Sequence, residues 1–378
     1  MRLLITGGGT GGHVYPALSV VKALGIGPNK GQISGVLYVG TSAGMERAIV
    51  TREGLPFAAV SAGGLRGFAP WRILGNGLKL AKGTFQSWRI IRSFRPDAVL
   101  ATGGYVSAPT VFAAWLSRVP VLIYLPDVEP GLAVKALSRF AERVAVSLEP
   151  SLAYFPPGKA VVTGYPVRPE LYQRERTVAR DRLGLSDGDR VVLVFGGSRG
   201  AGSINRAVGA CLERLLEQCT VIHIAGRNDI EWLRERRDGL PPMLRERYRV
   251  YEYLYEEMVD ALAAADLAVA RAGAATMGEF AAVGLPSVLV PYPHAGRHQE
   301  ANADALVAAG AAVKVRDEDL PSGALEIEVL RLIRDEERLR RMSEKARKLA
   351  QPNAARNIGS HLLALAGENA CGGGVWSS

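Results

Sequence analysis

The sequence predicts an α/β fold: two Rossmann-like, doubly wound parallel-sheet domains with an interdomain cleft. Short, continuously apolar runs alternate with longer helical patterns, the signature of parallel strands covered on both faces. These runs fall into two series, and each series opens with a strand that ends in a burst of glycines, "LLITGGGTGGH" and "VFGGSRGAGS". The chain has 378 residues, room for two or three domains of about 150 residues each.

The first series reads as strands at "RLLIT", "GVLYVG", "FAAVS", "DAVLATG", "PVLIYLP", "RVAVS" and "AVVTG". The second reads "VVLVFGG", "TVIHIAG", "YRVYEYL", "LAVARAG", "PSVLVPY" and "AAVKV". This divides the chain into an N-terminal domain over 1–165, a linker over 166–189 rich in Pro, Arg and Asp, and a C-terminal domain over 190–349. The last helical segment, roughly Asp335 to Ala366, is expected to be interrupted at Pro352, and residues 367–378 are expected to be a disordered tail.

Composition narrows the function classes. The formal net charge of +9 suits anionic partners: a nucleotide, a nucleic acid or an acidic membrane surface. Cys211, Cys219 and Cys371 lack CxxC spacing, so neither a disulfide framework nor a zinc pattern is indicated. The apolar run at the start breaks at Gly7, too early for a signal peptide, and no stretch reaches the ~20 apolar residues of a membrane span. A cytoplasmic protein with at most peripheral membrane contact is expected.

Four glycine loops fall at predicted carboxyl ends of strands: "GGGTGGH", "TGGYVSAP", "GGSRGAGS" and "RAGAATMGEF". That edge of a parallel sheet is where ligands bind, and glycines let backbone amides approach an anion. The first loop fits G-x-G-x-x-G, yet no acid sits at the tip of the second strand to hold an NAD ribose, and Glu46 comes late. No G-K-[ST] follows either loop, which excludes a P-loop. His13, directly after the first glycines, is a candidate general base. Glu279, six residues past Gly273, is placed to accept ribose hydroxyls, and Arg168 can reach a diphosphate. His294, Arg297, His298, Gln299 and Asn302 make "HAGRHQEAN" a ligand loop without metal-ligand spacing.

Residues 66–95 hold seven Arg or Lys and no acid. Trp71, Leu74, Leu78, Phe85 and Trp88 recur there at helical spacing, with Lys79 and Lys82 between them. An aromatic, basic helix can lie in an anionic membrane interface; the alternative is a core-facing stripe with a solvated edge. Gly75, Gly77 and Gly83 favour a shorter helix with a loop. No RNP, zinc-finger or helix-turn-helix signature supports nucleic acid.

Taken together, "GGTGGHVYPAL", "ATGGYVSAP", "FGGSRGAGSIN" and "RAGAATMGEFAAVGLPSVLVPYPHAGRHQEANA" resemble the MurG family. These are bacterial enzymes that add N-acetylglucosamine to undecaprenyl-pyrophosphoryl-N-acetylmuramyl-pentapeptide (lipid I) in peptidoglycan synthesis. The resemblance implies a GT-B fold whose C-terminal helix, about 350–366, packs back on the first domain; it also implies UDP-GlcNAc as donor, lipid I as acceptor, lipid II as product with inversion, no cofactor and no metal. It implies that Thr10, Gly11 and Gly12 face the donor sugar, and that Arg168 and Ser198 lie near the diphosphate. It further implies that Ala274, Ala275 and Thr276 open the nucleotide helix, with Glu279 on the ribose. Gln299 matches a sugar contact, and Leu254 or Tyr255 the uracil-packing region. Gly103, Gly104, Tyr105 and Ser107 match an acceptor loop, and residues 66–95 a contact with the cytoplasmic membrane face. The pattern departs at residues 124–127, Tyr-Leu-Pro-Asp here, where many members carry His-Glu-Gln-Asn. Asp127 can accept where an Asn both accepts and donates, and Leu125 cannot act as a carboxylate. Another UDP-sugar transferase or epimerase, or an NAD-binding oxidoreductase, are the alternatives.

Overall fold

The computed structural model describes residues 1–9, 11–26, 32–42, 44–63, 70–197, 200–293 and 298–371, with only the backbone of 70–76 and 369–371. The chain divides into two compact units, one of Met1–Pro166 with Asn353–Ser378 and one of Val167–Pro352.

All the expected strands form. The first unit holds β1 (Arg2–Thr6), β2 (Gly35–Gly40), β3 (Phe57–Ala59), β4 (Ala98–Ala101), β5 (Val121–Leu125), β6 (Arg143–Val146) and β7 (Ala160–Val162). They pair in the order β3-β2-β1-β4-β5-β6-β7. The second unit holds β8 (Val191–Phe195), β9 (Thr220–Ile224), β10 (Tyr248–Tyr251), β11 (Leu267–Ala270), β12 (Ser287–Leu289) and β13 (Ala312–Lys314), ordered β10-β9-β8-β11-β12-β13. Every pairing is parallel. The central strands are apolar on both faces because helices cover both, and all five residues of β5 and of β9 are buried.

The strand order reverses between β1 and β4 in the first sheet and between β8 and β11 in the second. Chains leaving neighbouring strands at such a reversal diverge to opposite faces and open a crevice at the carboxyl edge. The four glycine loops follow β1, β4, β8 and β11, so each pair flanks one switch point.

The helix Ala354–Cys371 returns to the first unit and packs on the helix Gly11–Leu24. Gly359 permits that approach, since a Cβ there would lie 2.6 Å from Leu24 Cδ2. Ile358, Leu362 and Leu365 are buried in the contact region.

Several expectations need correcting. Residues 166–189 are not a loose linker: from Val167 on they belong to the second unit and form the helices Pro169–Gln173 and Arg176–Arg182. Their Arg and Asp content reflects a buried cation network. Arg180 is 1% exposed and its guanidinium donates to the carbonyls of Ala264, Ser186, Asp187 and Asp189 and to Asp266. The expected tail is helical as far as Cys371, and 372–378 lie outside the described residues. The basic stretch forms one continuous helix, Pro70–Phe94, rather than a short helix and a loop. Gly83 sits where a Cβ would run into the Ser61 carbonyl oxygen, and Ser87 Oγ meets Thr110 Oγ1 at 3.1 Å. Packing on the helix Ser107–Leu116 thus offsets the low helix propensity of glycine. Cys211 and Cys219 are buried free thiols, and burial pushes both up to about 12.

Candidate active site

In the first unit the site begins where β1 and β4 end. Gly103 and Gly104 take left-handed backbone angles, φ +95° and +79°, which favour glycine. A Cβ on Gly104 would lie 2.7 Å from the Gly8 carbonyl oxygen, and one on Gly103 3.3 Å from His13 Cε1. The two glycine loops therefore touch through bare backbone, with the imidazole against them. His13 lies in the first turn of the helix Gly11–Leu24, half-buried, with Nδ1 2.6 Å from the Thr102 carbonyl oxygen. A carbonyl can only accept, so Nδ1 carries the proton and Nε2 of the neutral ring carries the lone pair.

Gly11 and Gly12 open that helix; Thr10 lies outside the described residues. Tyr105 is exposed. Ser107 is buried instead, and its hydroxyl donates to Gly103 O at 2.7 Å, so it shapes the loop from behind. Asp127 is half-buried just past β5; burial raises the phenol of the neighbouring Tyr124, and the charges of Tyr165 and Asp127 add to that shift. Leu125 is a core residue. Glu129 pairs with Lys135 at 3.8 Å.

In the second unit the corresponding place is the start of the helix Ala274–Val283, capped by Gly273 in extended conformation. The amides of Ala274 and Ala275 have no intrahelical acceptor by the geometry of a helix end. Thr276 Oγ1 donates to Gly273 O at 2.6 Å and tightens the turn. Glu279 is half-buried on the same helix; burial raises its carboxyl above the usual range, and the nearby Arg168 guanidinium opposes the shift. The structure therefore brings Arg168 and Glu279 together, although 110 residues separate them in sequence. Gln299 Oε1 accepts the Tyr292 amide at 2.8 Å. Leu254 is buried, while Tyr255 is exposed with its ring edge-on to Tyr253 at 4.6 Å. Ser198, His294 and Arg297 lie outside the described residues. Among the described residues no group of three His, Cys, Asp or Glu side chains is arranged to hold a metal ion.

Residues 3–146 match the glycosyltransferase family 28 N-terminal domain, and residues 191–358 its C-terminal domain. The chain is 43% identical to the UDP-N-acetylglucosamine--N-acetylmuramyl-(pentapeptide) pyrophosphoryl-undecaprenol N-acetylglucosamine transferase of Roseiflexus sp. (strain RS-1), over 95% of this chain and 93% of that one. The enzyme of the same name from Moorella thermoacetica is 40% identical over 95% and 97%. The crystal structure of Acinetobacter baumannii MurG superposes with a TM-score of 0.76 at 29% identity, covering 96% of this chain and 99% of that one. The chain belongs to the MurG family of glycosyltransferases. UDP-GlcNAc 2-epimerase from Neisseria meningitidis shares the fold, with a TM-score of 0.65 at 17% identity over 96% of this chain.

The sequence reading of this MurG-family chain missed Arg271. Its guanidinium donates to Asp317 Oδ1 at 2.6 Å, to Ser203 Oγ at 2.7 Å and to the carbonyls of Val290 and Pro291, and it lies 5.2 Å from the Tyr292 ring centroid. One side chain thus ties the loop after β11 to the loop after β12 and to the helix Gly202–Ala210. Its signal in the sequence is only an arginine directly after a buried strand, where a small residue suffices for a turn.

On the helix Pro70–Phe94, Leu78 is 67% and Phe85 58% exposed, and Lys79 and Lys82 are exposed beside them. Trp88 is half-buried, stacked on Phe85 at 5.9 Å with the Arg92 guanidinium 4.7 Å from its ring. The side chains of Trp71 and Leu74 lie outside the described residues. A second aromatic group, not singled out from sequence, joins Phe112, Trp115 and Phe140 with ring separations of 5.2–5.5 Å, and Trp115 is 44% exposed. Among the described residues no helix is long and apolar enough to cross a membrane.

Proposed function

We propose that this chain transfers N-acetylglucosamine from UDP-N-acetylglucosamine to the 4-hydroxyl of the N-acetylmuramyl sugar in N-acetylmuramyl-(pentapeptide) pyrophosphoryl-undecaprenol, with inversion. The observation that carries this reading is the 43% identity, over 95% of the chain, to a relative named for that activity, joined to a histidine whose Nδ1 is held by a carbonyl. In the reaction the acceptor oxygen attacks C1 of the donor sugar. The C1–O bond to UDP breaks and its electron pair leaves on the β-phosphate. His13 Nε2 takes the hydroxyl proton, and the resulting imidazolium keeps its Nδ1–H on the Thr102 carbonyl, whose dipole favours the added charge.

The second unit holds the nucleotide: Glu279 accepts the ribose hydroxyls, and the amides opening the helix Ala274–Val283, with Arg168, meet the charge that grows on the diphosphate. Gln299 contacts the transferred sugar, and Leu254 or Tyr255 packs on the base. Asp127 accepts a hydrogen bond from the donor. Gly103, Gly104 and Tyr105 receive the acceptor.

The undecaprenyl tail keeps the acceptor in a bilayer, so the enzyme works at the cytoplasmic membrane face. Leu78 and Phe85 supply the apolar contact and Lys79 and Lys82 the attraction to anionic lipid. Each apolar side chain contributes about 1.5–3 kcal/mol when fully buried, and each lysine about 1 kcal/mol near the surface. Those magnitudes give reversible, peripheral attachment.

The deciding experiment incubates the purified protein with labelled UDP-GlcNAc and the lipid acceptor and follows label into the lipid product. Transfer by the parent protein, and a 10²–10⁴-fold lower kcat in His13→Ala with the donor KM little changed, is the expected result. Interconversion of UDP-GlcNAc without any acceptor would replace this reading with an epimerase. Near-normal turnover by His13→Ala would remove the base assignment alone.

A further inference from the structure

Glu46 is fully buried, and its carboxylate is built into the back of the first glycine loop. Oε2 accepts the Gly9 amide at 3.4 Å, while Oε1 accepts the Thr41 amide at 2.9 Å and the Thr41 hydroxyl at 2.7 Å. Three glycines make room for it. A Cβ on Gly8 would lie 2.6 Å from Glu46 Cδ, one on Gly40 2.8 Å from its Cγ, and one on Gly44 would overlap the carboxylate. Beside it, the buried Tyr38 hydroxyl donates to the Gly7 carbonyl at 3.0 Å. The loop is therefore held from behind at the Gly7 carbonyl and at the Gly9 amide, four and two residues before Gly11 opens the His13 helix.

We propose that Glu46, assisted by Tyr38, is a positioning residue for His13, fixing the glycine loop so that the imidazole meets the Thr102 carbonyl and presents Nε2 to the acceptor hydroxyl. The proposal rests on His13 being the base. It also gives the glycines of the first loop a second task. The Gly9 amide faces a carboxylate, so it is not offered to a phosphate, and the anion is left to other amides.

The chemistry of the contact supplies its own test. A carboxylate accepts on both oxygens; the amide of a glutamine accepts on one side and donates on the other. In Glu46→Gln one side must place N–H against N–H, either at Gly9 or at Thr41, so the isosteric variant cannot reproduce the clamp. The expected result for Glu46→Gln is a kcat lowered at least tenfold per folded molecule, with the KM for UDP-GlcNAc within twofold, because the nucleotide is held by the other unit. The loss should disappear in a His13→Ala background, where there is no base left to position. Tyr38→Phe, which removes only the hydroxyl on Gly7, should show the same split on a smaller scale and keeps the test open if Glu46→Gln fails to fold. A kcat within twofold of the parent for the folded variants, or an equal loss in the presence and absence of His13, overturns the proposal. The His13→Ala arm separates the two failures: if that variant turns over normally the base assignment falls, and if it does not the clamp is judged by the double variant.

Discussion

At His13 the carbonyl of Thr102, 89 residues away, decides which ring nitrogen is basic. The position of the histidine beside glycines was legible in the sequence; its orienting partner was not, because a backbone oxygen leaves no residue-type signal. Glu279 shows the same division. Its helical offset from Gly273 was readable, whereas the Arg168 that faces it was paired with it only by the fold. Ser107 went the other way: a hydroxyl in a glycine loop looks like a ligand group, and here it closes the loop from behind. The raised carboxyl of Glu279 gives a pH prediction. A ribose hydroxyl needs an ionised acceptor, so donor affinity should weaken on acidification from a higher pH than an ordinary carboxylate would require. Measuring the UDP Kd against pH checks this. Glu279→Gln should flatten that profile and weaken binding about 10–100-fold, the range for a hydrogen bond to a charged group.

Among the elements, the strands were the most legible because both-face burial writes an unbroken apolar run. The helix Pro70–Phe94 was the least, since glycine propensity argued against it and packing on Ser107–Leu116 decided for it. Its exposed Leu78 and Phe85 predict that the double change Leu78→Ser/Phe85→Ser lowers affinity for anionic vesicles at least tenfold in a sedimentation assay. Kinetics with a short-chain acceptor in solution should be unaffected; unchanged vesicle binding would assign the helix no membrane role. A second element-level prediction concerns β9 and β10. Buried His223 accepts from the Tyr248 hydroxyl at 2.9 Å and donates to Asn205 Oδ1 at 3.0 Å, and burial lowers its pKa to about 3. The unfolded chain protonates this ring near pH 6.5 and the folded one does not. The stability that its neutral form contributes is therefore complete above about pH 6.5 and is lost toward pH 3, at about 1.4 kcal/mol per pH unit. Denaturant midpoints should drop over that window, and less steeply in His223→Gln.

For the molecule as a whole, two parallel sheets with a switch point each were readable from the repeated strand–glycine pattern. The exact ownership of segments was not: residues 166–189, rich in Pro, Arg and Asp, read as a linker, whereas from Val167 on they belong to the second unit and bury Arg180 among carbonyls. The C-terminal helix belongs to the first unit. Ending the chain after Pro352 should therefore spare the second unit and unmask the apolar faces that Ile358 and Leu362 cover. Calorimetry should then show the first unit's unfolding transition lost or shifted far down, while titration with UDP still gives near-parent affinity. Loss of UDP binding as well would mean that the two units do not fold independently.

That ownership has a consequence for synthesis. The ribosome makes most of the first unit before any of the second, yet the helix that covers it is made after the whole of the second. At about 5–20 residues per second, some 10–40 s pass between the emergence of Pro166 and of Ala354. The second unit, being continuous in sequence, can close while the first still waits with an apolar helix face bare. The first unit therefore finishes folding after the second, and during that interval it is the part most in need of a chaperone.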